Sequence, residues 1–121
     1  MKALSIDRHG CAADVELSVD GSVGILRGLH AVIGCAAVER VAIGGGLDLW
    51  VDEDGIAAAR PVNGPAGLLA RELGMPVQLR GTVVVTGAER ERGRAVGLTG
   101  AQIADLRRRL VASSAREVPG R

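Results

Sequence analysis

The chain has 121 residues, with 15 basic and 14 acidic side chains for a formal charge of +1, 47% hydrophobic residues and a single aromatic ring, Trp50. That length is one domain. The apolar content excludes a disordered chain, and the charge balance excludes a strong long-range pull toward nucleic acid or an anionic membrane.

In chain order, Ala3 to Asp7 and Asp14 to Val19 read as two strands joined by turn chemistry at Arg8-His9-Gly10. In the second strand Val15, Leu17 and Val19 alternate with Glu16 and Ser18, which buries one face. Ser22 to Gly34 reads as a helix with Ile25, Leu26, Leu29, Val32 and Ile33 on one stripe. Asp20 or Ser22 caps its start and Gly34 its end. Gly24, Gly28 and Ala31 form a small-residue strip that suits close approach to another element.

Ala37 to Ile43 is a third strand, Gly44-Gly45-Gly46 a turn, and Leu47 to Asp52 a fourth strand of strict alternation. Leu47, Leu49 and Val51 point one way; Asp48, Trp50 and Asp52 point the other. Ile56 to Arg60 reads as a short further strand after the Asp54-Gly55 turn. Asn63 caps a second helix, Gly64 to Leu73, whose apolar positions are Leu68, Leu69 and Leu73. Leu79 to Thr86 is the most strand-like segment, and Ala95 to Leu98 pairs back on it. Thr99 and Gln102 spell a capping box for a third helix with Ile103, Leu106 and Leu110 as its apolar positions.

The predicted class is α+β: one compact domain over 1–112 with a flexible tail over 113–121. It has a mostly antiparallel sheet of about five strands and two or three helices packed mainly on one face. The N-terminus lacks the apolar stretch of a signal peptide, and no run approaches the roughly 18 apolar residues of a membrane span, so a cytoplasmic location is expected. Cys11 and Cys35 are too few for a disulfide framework and read as reduced thiols.

Chemistry-bearing constellations are sparse. Trp50, flanked on its strand face by Asp48 and Asp52, is either a half-exposed anchor, because an indole contributes large area and one donor, or a packing ring covered by the second or third helix. The acids Asp48, Asp52, Glu53 and Asp54 offer oxygen ligands but lack calcium-loop spacing. His9, Cys11, His30 and Cys35 equal a zinc set in number and fit no finger or ribbon spacing. There is no nucleophile elbow, and Lys2, the sole lysine, excludes a P-loop. Gly44, Gly45 and Gly46 are a weak phosphate-binding turn through exposed amides. Arg107-Arg108-Arg109 spread over about 200° of helix arc and cannot form one phosphate-facing stripe. Arg90, Arg92 and Arg94 do not make up a nucleic-acid patch, since Glu89, Arg90, Glu91 and Arg92 read as a solvated turn of mixed charge.

The blocks IGCAAVERVAIGGGLDLWVDEDG, PVNGPAGLLARELG, LRGTVVVTG and GLTGAQI, in that order and spacing, resemble the family known as domain of unknown function 3846, from Met1 to about Leu110. The chain departs from it at Asn63-Gly64-Pro65-Ala66-Gly67, where similar proteins often read Asn-Pro-x-Ala-Thr. The resemblance implies a compact fold among short bacterial proteins, many actinobacterial, and proteins of phages and plasmids. It implies no reaction.

These readings predict a non-enzymatic binding or regulatory accessory protein of a mobile element or phage, acting through a protein or small-ligand surface near Trp50, with Asp48, Asp52 and Asn63 beside it. A second reading is a small-molecule or nucleotide binder that uses the glycine turn and Asn63, as in sequestering a defence signal. A third is a metal-dependent hydrolase built on Asp48, Asp52 and Asp54. The leading reading needs no cofactor and no metal; it takes a protein or small ligand as partner rather than nucleic acid or membrane, and is compatible with a homo-oligomer.

Overall fold

The computed structural model describes residues 1–19, 24–89 and 93–117, with side chains up to Ala112. Its elements are β1 (Lys2–Ile6), β2 (Ala12–Glu16), α1 (Leu26–Ile33), β3 (Val38–Ile43), β4 (Leu47–Asp52), α2 (Gly64–Glu72), β5 (Val83–Glu89), β6 (Arg94–Val96) and α3 (Gly100–Glu117). The six strands form one antiparallel sheet in the order β2-β1-β5-β4-β3, with β6 also paired to β5. The α+β class holds, with six strands in the sheet. The return expected over Ala95 to Leu98 is present as the short β6, which pairs Gly87 with Val96 and Glu89 with Arg94.

Alternation along the strands divides the core in two. Leu4, Ile6, Leu49, Val83 and Val85 face one way and are covered by Ala66, Leu69 and Ala70 of α2 and Leu106 and Leu110 of α3. Ala3, Val84 and Trp50 face the other way and are covered by Leu29 and Ile33 of α1, with Leu17 beside them. The sheet is therefore sandwiched, two helices on one face and one on the other. All six residues of β4 are buried, since both its faces are roofed. Each fully buried Leu or Val contributes about 1.5–3 kcal/mol by leaving water, and the core needs no ring to fill it.

Local chemistry sets the boundaries. The β1–β2 turn is built on Asp7, whose carboxylate accepts the amides of His9 and Cys11 at 2.9 and 3.0 Å. That turn sets Ile6 opposite Ala12, so β2 starts two residues earlier than its hydrophobic pattern predicts. Val19 is left exposed, although Leu17 is buried as expected. The first helix begins at Leu26 rather than Ser22 and ends at Gly34 in the left-handed conformation. The proposed caps Asp20 and Ser22 lie outside the described residues, as do Arg90 and Arg92.

The expected strand over Ile56 to Arg60 is a succession of turns instead, with Ile56 81% exposed and Ala59 at φ 54°. The Thr99 capping box is formed. Thr99 N–H donates to Gln102 Oε1 at 2.9 Å, and Gln102 N–H to Thr99 Oγ1 at 3.1 Å. The third helix runs past Ser113 to Glu117. Among the described residues no helix is long and apolar enough to cross a membrane.

Candidate functional site

Trp50 lies opposite Leu47, Leu49 and Val51, as period-two patterning requires, but it is 8% exposed. Its indole packs among Leu17, Leu29, Ile33 and Val84, and its Nε1–H donates to Thr86 Oγ1 at 2.9 Å. The Arg40 guanidinium carbon sits 5.4 Å from the ring centroid, within cation–π range. Of the two readings of Trp50 the packing ring holds, covered by α1 rather than by a later helix: the face it shares with the acids is a second core, and its one donor is already used inside it.

Asp48 and Asp52 are also buried, and each is held by an arginine. Arg40 Nε donates to Asp48 Oδ2 at 2.6 Å. Arg60 bonds Asp52 Oδ2 through Nε and the Gly34 carbonyl through its terminal nitrogen, which fastens the end of α1 to β4. The remaining Asp52 oxygen accepts the Asp54 amide at 2.8 Å, an Asx turn. The acids are thus spent on structure. Among the described residues no three His, Cys, Asp or Glu side chains converge as a metal site, so the hydrolase arrangement of Asp48, Asp52 and Asp54 is not assembled. Both cysteines are free thiols, Cys11 exposed and Cys35 partly covered. Burial, aided by the charge of Asp52, pushes the Cys35 thiol above the usual range.

The glycine turn closes the β3–β4 hairpin. The Gly44 amide donates to Leu73 O at 2.9 Å, and Gly46 O accepts Ala88 N–H at 2.8 Å. A Cβ on Gly44 would lie 2.5 Å from Leu73 O, so the turn is fitted to the end of α2 rather than open to a phosphate. Asn63 is fully buried. Its Nδ2 donates to Ile6 O (3.0 Å) and Gly81 O (2.8 Å), and its Oδ1 accepts the Ala66 amide at 3.0 Å as the α2 cap. Gly44 and Asn63 thus both join elements of the fold.

The arginines of α3 are likewise engaged. Arg107 bonds Asp14 and the Ala12 carbonyl, Arg108 and Arg109 bond Asp105, and Arg109 also reaches Glu72.

Beside Asn63 the structure opens a cleft of about 390 Å³ that no sequence motif marks. One wall is the outward face of α2, Gly64, Gly67, Leu68 and Arg71. Their spacing puts them on the stripe opposite the buried Pro65, Ala66, Leu69 and Ala70. The other wall is the extended segment Pro76 to Leu79, held against Val62 by the Val62–Arg80 bridge and the Asn63 N–H to Leu79 O bond of 2.8 Å. The lining is mostly apolar. Arg71, which makes no ion pair among the described residues, and the Gln78 amide are its polar side chains besides Asn63. The available signal was compositional: two glycines and one cation share the solvent stripe of α2.

Residues 1–111 match the family described as Domain of unknown function (DUF3846), and the chain belongs to that family. Comparison with curated proteins and with solved structures finds no match.

Proposed function

We propose that the chain is a non-enzymatic binding module that takes a small amphipathic anion in the cleft beside α2. Its volume falls within the roughly 300–1,000 Å³ usual for ligand pockets, which are apolar with a few placed polar groups. One observation carries the reading: the lining offers a cation and two amides but no acid, base, thiol or hydroxyl. Such a site holds and orients a ligand, and it has nothing with which to move a proton or attack a bond. Gly64 and Gly67 leave room for the ligand against the helix, Val62, Leu68, Val77 and Leu79 take its apolar body, and Arg71 meets its charge. This reading replaces Trp50 as the recognition element.

The test is a thermal-shift and calorimetric screen with medium-chain carboxylates and nucleoside monophosphates, run on the wild type, Arg71→Ala and Gly67→Leu. Stabilisation that grows with ligand concentration, as mass action requires, and is lost in both variants, is expected. Silence across the panel, or binding indifferent to Gly67→Leu, overturns the reading.

A further inference from the structure

We propose that β3 is a dimerisation edge: two copies of the chain pair their Val38–Ile43 strands antiparallel about a two-fold axis, joining their sheets into one.

In an antiparallel strand, each residue turns its own N–H and C=O to one side, and the side alternates along the chain. Gly46 O takes Ala88 N–H, and Glu53 N–H bonds Ala37 O. Even-numbered residues of β4 therefore face β5 and odd-numbered ones face β3. Within β3 the odd-numbered residues meet β4, so the backbone groups of Val38, Arg40 and Ala42 point outward. Gly44, the next in that series, follows the rule, and its outward N–H is taken by Leu73 O. Among the described residues nothing takes the groups of Val38, Arg40 or Ala42.

Sheet edges in proteins that stay monomeric are blocked, often by projecting charge or a covering element. The opposite edge is guarded at one end: Arg107 of α3 donates to the Ala12 carbonyl and to the Asp14 carboxylate on β2, where both charges project. On β3 the cation that would guard the edge is drawn back. Asp48 holds Arg40 at 2.6 Å, over the Trp50 ring.

The register follows from what is available. Setting Arg40 against its own counterpart pairs Val38 of each copy with Ala42 of the other, and every outward group is satisfied. Glu39 then faces Val41, and the two Arg40 side chains, which would otherwise repel, are each compensated by Asp48. A shift in one direction sets Glu39 against Glu39. A shift in the other needs the Gly44 amide that Leu73 already holds.

Sedimentation and amide exchange on the full chain across a wide concentration range test the proposal. The mass should climb from one copy to two, and the Val38, Arg40 and Ala42 amides should slow in step. Ala42→Pro removes an outward donor at a position where an edge strand tolerates proline. It should keep the fold at low concentration and weaken association at least tenfold. A single-copy mass throughout, a dimer whose three amides exchange at monomer rates, or a dimer indifferent to Ala42→Pro each overturns the proposal. So does slowing of those amides only when an added extended peptide binds, which assigns the edge to a different occupant. The exchange measurement decides on the wild type even if the proline variant fails to fold.

Discussion

The indole N–H of Trp50 and the hydroxyl of Thr86 meet at 2.9 Å across adjacent strands, the donor 8% exposed and the acceptor fully buried. Thr86→Val keeps the shape and removes the acceptor. Leaving the donor unmatched should cost about 1–3 kcal/mol, with Thr86→Ser recovering part of it. Urea unfolding followed by fluorescence measures both. Since Trp50 is the sole fluorophore of its kind, the native protein should emit in the blue and resist acrylamide quenching. A red emission maximum in the folded state would contradict the burial.

Asn63 joins three elements through one side chain: β1 at Ile6, the segment before β5 at Gly81, and the start of α2 at Ala66. Asn63→Ala loses a helix cap and strands two carbonyls. The expected loss is about 3 kcal/mol. Asn63→Asp keeps the cap acceptor but aims a carboxylate at those carbonyls, so it should rescue little. If the Asn63→Asp variant matched the wild type in denaturant titration, the two carbonyl contacts would contribute nothing.

Two glycines distinguish rigid from yielding contacts. A methyl at Gly44 would lie 2.5 Å from the Leu73 carbonyl, which cannot retreat without moving the end of α2. A methyl at Gly28 would lie 2.9 Å from a Leu17 methyl, the mobile end of a side chain. Gly44→Ala should therefore destabilise by about 2 kcal/mol or more. Gly28→Ala should be near neutral, because improved helix propensity of about 1 kcal/mol offsets the crowding. Paired thermal melts check the order.

Asp105 carries an acid-sensitive contribution to stability. The Arg109 guanidinium that bonds it, with Arg108 beside it, holds its carboxyl below the usual range. A carboxyl depressed in the folded state stabilises above its unfolded pKa, and that stabilisation is lost as pH falls through the folded value. Wild type should thus exceed Asp105→Asn in stability at neutral pH, with the gap closing in the acid range and shrinking in high salt. A gap that stays constant with pH would point to packing instead.

The two thiols should differ in reactivity. Burial raises the pKa of Cys35, so less thiolate is present at a given pH. Iodoacetamide at neutral pH should modify exposed Cys11 first, and the Cys35 rate should keep rising at higher pH than an ordinary thiol. Mass spectrometry of the time course reads this directly.

What the sequence made legible was local. Strict alternation placed Leu49 and Trp50 on opposite faces, and the Thr99–Gln102 spacing gave the start of α3 to the residue. It did not say what roofs each face. Trp50 is covered by Leu29 and Ile33 of α1, an element well upstream in the chain, and tertiary packing of this kind leaves no trace in a period-two pattern. The same holds for Asp48 and Asp52, whose arginine partners become evident only when β3 and the turns after β4 are in place. The cleft is less legible again. It exists because the Val62–Arg80 bridge brings an extended segment beside α2, and neither stretch carries a recognisable motif.

The sheet order has a consequence for how the chain matures. β1 has β2 and β5 as neighbours, and β5 lies in the last third of the sequence. On a translating ribosome the first strand emerges long before its central mate, so the middle of the ladder must wait until synthesis is well advanced. Such distant pairing makes acquisition of structure slow, on the order of milliseconds to seconds, and nascent fragments that stop short of Val83 should remain substrates for chaperones and proteases.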